Sequence, residues 1–102
     1  MANKKICSAI EAPAAGTVSE IFIEGMPYAV CNVDGKLFCV DGTCPHAGGP
    51  LGQGTLHGNR LTCPWHAFEF DCRTGLNDAD EDLTISTYTV SLERGDVLVD
   101  IP

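Results

Sequence analysis

A chain of 102 residues, 44% hydrophobic and 20% charged, has the length of one domain and the composition of a globular protein, which excludes two ordinary domains and a disordered chain. Its net charge of −8 argues against nucleic acid and anionic membrane surfaces as partners, and favours steering toward a basic face on another protein. No run approaches the roughly 20 apolar residues of a bilayer crossing, and Glu11 interrupts the apolar run that a secretory signal would need after Lys4 and Lys5. A soluble, cytoplasmic protein is therefore expected.

Residues 1–16, with Pro13 and Gly16 among small residues, read as an edge strand running into a turn. Thr17 to Glu24 carries Val18, Ile21, Phe22 and Ile23 and predicts a strand. Tyr28–Val33 and Lys36–Val40 flank Asp34-Gly35, a dipeptide that tolerates the positive φ angles of a two-residue hairpin turn. That turn sets Val33 opposite Lys36 and Cys31 opposite Phe38. Cys31 and Cys39 then fall on opposite faces of the sheet, which argues against a disulfide between them.

Thr55 to Thr62 predicts a smaller hairpin, turning at Gly58-Asn59 with Leu56 opposite Leu61. Phe68, Phe70 and Cys72 alternate with charged residues and predict a strand with one apolar face, ending at Gly75. The acidic run within 77–82 reads as a solvated loop, and it lacks the glycine and spacing of a calcium loop. Tyr88, Val90 and Leu92 predict one face of a strand that turns at Arg94-Gly95 and returns through Val97, Val99 and Ile101. No segment keeps a 3.6-residue period, so the fold class is all-β.

The chemistry concentrates between Cys44 and His66. Cys44-Pro45-His46 and Cys63-Pro64-Trp65-His66 each join one thiolate donor to one imidazole donor, a doubled pairing that chance rarely produces. Structural zinc sites usually take two cysteines from one turn and two histidines or cysteines from another. One donor of each kind per loop suits a two-iron cluster, in which both loops supply a thiolate to one iron and an imidazole to the other. A zinc-stabilised interaction module is the alternative of a different class.

The spacing C-x-H, sixteen residues, C-x-x-H resembles the signature of Rieske proteins, whose ligation of [2Fe–2S] with two histidines in place of two cysteines is a known system. The resemblance extends to the Asp34-Gly35 hairpin, the L-x-x-G-x-L run at Leu51–Leu56, the F-x-x-x-T-G segment at Phe70–Gly75 and the closing hairpin. It implies a Rieske-type fold of small antiparallel sheets over residues 1–102. A cluster-binding part at about 43–73, made by two ligand loops, would stand on a basal β part at 1–42 and 74–102.

The resemblance further implies one [2Fe–2S] cluster, with Cys44 and Cys63 on the inner iron and His46 and His66 on the outer, solvent-facing one. Glycines 48, 49, 52 and 54 would let the loop backbone turn tightly and aim N–H groups at the sulfurs, and Trp65 would shield the cluster or pack. High-potential Rieske proteins carry a further cysteine in each loop and hydroxyl donors behind the second histidine. Trp65 stands at one of those cysteine positions, and Phe68 and Phe70 at the hydroxyl positions, so a low potential, roughly −150 mV, is expected. Cys7, Cys31, Cys39 and Cys72 are expected as reduced, mostly buried thiols, and His57 as a surface turn residue.

With His46 and His66 used, only His57 remains, so the chain cannot supply the mononuclear iron site of an oxygenase. It also lacks a dinucleotide-binding glycine motif. The implied function is not enzymatic. It is one-electron transfer from a flavin-containing reductase to a terminal oxygenase, docking transiently at the His46/His66 tip, as in the ferredoxin component of a bacterial aromatic-ring oxygenase system. A Rieske-like small subunit of another oxidoreductase, such as a nitrite reductase, is the alternative.

Overall fold

A computed structural model of the chain describes residues 2–45, 48–65, 68–77 and 83–101. Its strands are β1 (Ala2–Ser8), β2 (Val18–Ile23), β3 (Met26–Val33), β4 (Lys36–Asp41), β5 (Thr55–His57), β6 (Arg60–Thr62), β7 (Glu69–Asp71), β8 (Thr87–Tyr88), β9 (Val90–Glu93) and β10 (Asp96–Ile101). A 3-10 turn spans Leu51–Gln53. The strands form three antiparallel sheets, ordered β1-β10-β9, β2-β3-β4-β8 and β5-β6-β7. Among the described residues no helix is long and apolar enough to cross a membrane. The acidic positions 78–82 lie outside the described residues.

Turn chemistry sets the register. Asp34 and Gly35 have φ of 52° and 93°, the positive pair that matches the twist of the flanking strands, and Val33 pairs with Lys36 and Cys31 with Phe38 as expected. Arg94-Gly95 repeats the device, and so does Glu24-Gly25 between β2 and β3. The Gly58-Asn59 turn sets Leu56 opposite Leu61, and β1 is an edge strand.

The middle sheet separates two cores. Ala29, Cys31 and Val40 face the small β5-β6-β7 sheet and pack with Leu51, Leu61, Phe70 and Cys72. Tyr28, Val30 and Cys39 face the other way and pack with Val99 and Ile101 of the terminal sheet. Leu51, Leu61 and Phe70 are fully buried, and each contributes about 2 kcal/mol of apolar transfer.

Cys31 and Cys39 thus lie on opposite faces, and all six cysteines are free thiols. Burial pushes the Cys39 thiol up to about 12. A hydrogen bond with Cys72, aided by burial, raises Cys31. Cys7 is only partly buried.

Two expected strands differ. The alternation from Tyr88 to Leu92 does not make one strand: Tyr88 pairs with Cys39 in the middle sheet, while β9 begins at Val90 and pairs with β10. Asp41 causes the break, because it accepts hydrogen bonds from the Tyr88 hydroxyl and the Ser86 N–H and so holds that stretch against β4. Val90 packs into the second core, but Leu92, nearer the turn, is 63% exposed.

The strand after residue 68 is also shorter than the apolar pattern suggests. The Asp71 carbonyl accepts from Thr74 and Gly75, and its Oδ1 accepts from the Arg73 N–H, which turns the chain at once. Phe70 and Cys72 are nevertheless fully buried.

Candidate metal centre

The first cysteine loop leaves the end of β4 through a tight passage. Gly42 donates to the Pro27 carbonyl at 3.2 Å, and a Cβ at Gly42 would stand 2.5 Å from that carbonyl carbon. An isolated bridge joins Thr43 to Pro50. Inside it, the Cys44 N–H donates to the Gly49 carbonyl and the Gly48 N–H to the Cys44 carbonyl, each at 2.8 Å. The loop is closed on itself, and Gly48 takes the positive φ of 75° that this closure needs.

The 3-10 turn then anchors the loop to the scaffold. Gly52 packs so closely on β2 that a Cβ would meet the Glu20 backbone at 2.5 Å, and a Cβ at Gly54 would meet the Thr62 carbonyl oxygen at 2.0 Å. Gln53 donates to the Glu20 carboxylate at 3.0 Å. The second cysteine loop joins β6 to β7, and its base is fixed by the Cys63 N–H donating to the Phe68 carbonyl at 2.7 Å.

The loops deliver two buried sulfurs to one place. Cys44 and Cys63 are each 1% exposed and share one core cluster. Burial raises the Cys63 thiol above its ordinary value. The Trp65 N–H, 3.4 Å from Sγ, acts against that shift, and the Cys44 thiol reinforces it. Paired thiols in a dry site, with an N–H aimed at one sulfur, are a donor set that a metal cation ionises and holds. Among the described residues of these loops, Pro45, Gly48, Pro64 and Trp65 are exposed.

Two of the four expected donors, Cys44 and Cys63, are thus brought together. His46 and His66 lie outside the described residues. Among the described residues no group of three or more His, Cys, Asp or Glu side chains is placed to hold a metal ion; of the expected donors they include the cysteine pair. His57 is exposed at the end of β5, beside a turn, as expected.

Two of the expected glycine N–H groups do not point at a cysteine sulfur. The Gly48 and Gly54 N–H groups donate to carbonyl oxygens, and Gly52 and Gly54 serve close packing. Among the described residues, the backbone N–H that donates to a cysteine sulfur is that of Trp65.

Two polar brackets were not anticipated. Asp41 accepts from Tyr88 and Ser86 just before the first loop. Asp71 accepts from Arg73 through Nε and Nη2 and from Asn59 Nδ2 at 2.8 Å, just after the second. Only the Gly58-Asn59 turn signal pointed to one member. The hydrogen bonds to Arg73 chiefly hold the Asp71 carboxyl below its ordinary value.

Residues 3–89 match the Rieske [2Fe-2S] domain family. The chain is 40% identical over 103 aligned positions to the ferredoxin component of biphenyl 2,3-dioxygenase from Rhodococcus jostii strain RHA1, covering 99% of this chain and 94% of that protein. Its structure is similar to that of the Sphingomonas yanoikuyae B1 ferredoxin, with a TM-score of 0.87 at 32% identity over 99% and 100% of the two chains. It also resembles, with a TM-score of 0.85 at 28% identity over 95% and 91%, a chain in the complex of reduced oxygenase and oxidized ferredoxin in carbazole 1,9a-dioxygenase.

Proposed function

Because the chain belongs to the Rieske [2Fe-2S] domain family, we propose that it is the soluble, cytoplasmic electron carrier between a flavin-containing reductase and a terminal aromatic-ring oxygenase. It is an electron-transfer component and not a catalyst of the oxygenation. Its cofactor is one [2Fe–2S] cluster with two cysteine and two histidine ligands, which supplies storage of one electron at a time. Residues 1–102 form one domain in this reading, with the cluster-binding part at about 43–73 on a basal part at 1–42 and 74–102.

Cys44 and Cys63 would hold one iron, and His46 and His66 the other. The observation that carries this reading is the buried pair of cysteines next to the exposed Pro45, Gly48, Pro64 and Trp65. Each loop brings its cysteine inward, where the first core excludes water from the sulfur side. Pro45, Gly48, Pro64 and Trp65 remain outside and leave the partner a short approach to the centre. A carrier needs such an approach and no substrate pocket, which fits a small, transient interface. The net charge of −8 favours association of the chain as a whole with a basic face on either partner.

Phe70, fully buried in the core, and Phe68 offer no hydroxyl to a sulfur. The reduced state therefore lacks those stabilising donors, and the potential is low.

The test is reconstitution with a flavin reductase and an aromatic-ring oxygenase. Product formation should require the loaded chain, and turnover that proceeds equally well without it would refute the assignment.

A further inference from the structure

Gly49 and Trp65 meet at the sulfur of Cys63. Gly49 is buried while Trp65 is 50% exposed, so the indole lies on the outer side of the pair and the sulfur on the inner. A Cβ built on Gly49 would stand 2.6 Å from Cys63 Sγ, 3.1 Å from Trp65 Cγ and 3.2 Å from Trp65 Cβ. The first distance is far inside van der Waals contact, and the other two are tighter than ordinary packing. Gly49 has no positive φ. Its demand for glycine is therefore spatial: a side chain there would take the volume that the sulfur and the Trp65 side chain share.

The same residues are linked through the backbone. Gly49 accepts from the Cys44 N–H at 2.8 Å, so it is tied to the first sulfur-bearing residue while it touches the second. Trp65 gives its N–H to Cys63 Sγ at 3.4 Å and lays Cβ and Cγ over Gly49. The two loops, separate in sequence, approach each other at this point.

We infer that Gly49 and Trp65 act as a positioning pair for the Cys63 sulfur, the empty Cβ position of Gly49 admitting the sulfur and the Trp65 side chain holding the two loops at that spacing. This rests on the proposed ligation by Cys63. In a free chain the thiol could rotate away from a new methyl group. A sulfur bound to iron cannot, so the conflict falls on the iron–sulfur bond or on the loop spacing. Either change alters the electronic environment of the centre before it alters the fold.

The experiment compares the loaded full-length chain with Gly49→Ala, Trp65→Ala and, as a control, Gly58→Ala. Gly58 also has a demanding backbone, φ 61°, but a Cβ there meets nothing within 4 Å. The readouts are iron per chain, the paramagnetic g values of the reduced protein and the midpoint potential, with circular dichroism reporting the fold. Gly49→Ala is expected to lose iron or to show displaced g values and a shifted potential, while Gly58→Ala keeps the wild-type values. Wild-type iron content, g values and potential in Gly49→Ala would overturn the inference.

If Gly49→Ala is unfolded, Trp65→Ala decides. A native dichroism spectrum with shifted g values and potential supports the pair, and unchanged values overturn it. Absence of a two-iron signal from the wild-type chain would instead defeat the ligand assignment, so the two failures are distinguishable.

Discussion

The Tyr88 hydroxyl donates to Asp41 Oδ1 at 2.5 Å across 47 residues of sequence. Asp41 is the last residue of β4, three before Cys44, and its other carboxylate oxygen accepts from the Ser86 N–H at 2.8 Å. The late strand β8 is thereby tied to the entrance of the first cysteine loop, and the Tyr88 ring packs edge-on to Tyr28 at 5.4 Å.

Tyr88→Phe keeps that ring contact and removes one hydrogen bond to a carboxylate. The expected cost is about 1 kcal/mol, since the pair is only partly buried. A denaturation midpoint equal to that of the wild type would show that the bond contributes nothing.

Asp71 sets a pH dependence. Its carboxyl is held low, first by the hydrogen bonds to Arg73. A depressed carboxylate contributes stability that is present above its unfolded value, about 3.9, and is lost as pH falls through the lower folded value. Acidification from about pH 5 downward should thus destabilise the wild type more steeply than Asp71→Asn. Parallel curves of melting temperature against pH for the two proteins would rule this out.

Gly75 and Gly58 separate two kinds of glycine demand. Both have positive φ, 79° and 61°, but a Cβ on Gly75 would stand 2.0 Å from the Ile85 carbonyl oxygen while one on Gly58 has open space. Gly58→Ala is expected to cost about 1 kcal/mol from the backbone alone, and Gly75→Ala about 1–3 kcal/mol more from the added overlap. Equal losses in urea denaturation would contradict the close approach.

Redox titration tests the hydroxyl-free surroundings of the centre. The expected midpoint lies near the low end of the Rieske range, roughly −150 mV, and a value well above zero would contradict it. Removing the iron should also lower the melting temperature, because in the proposed ligation the metal cross-links the two cysteine loops.

The short-range features were open to reading from the chain itself. Asp34-Gly35 and Arg94-Gly95 select their hairpin turns through local φ preferences, so Val33 opposite Lys36 follows from four adjacent residues. The separation of Cys31 from Cys39 follows from strand parity alone. The Cys-His spacing likewise carries family and cofactor, because donor chemistry is a property of residue type.

Tertiary structure decided whatever depends on a partner far along the chain. It divides an even alternation between two sheets at Thr89, because Asp41 captures Tyr88. It makes Gly52 and Gly54 packing sites, because Glu20 and the Thr62 carbonyl come within the reach of a Cβ. It sets Cys63 against Gly49 and Trp65, two loops meeting at one sulfur. Local propensity contains no term for such contacts; they arise only when the buried side chains of the first core draw the small sheet onto the middle one.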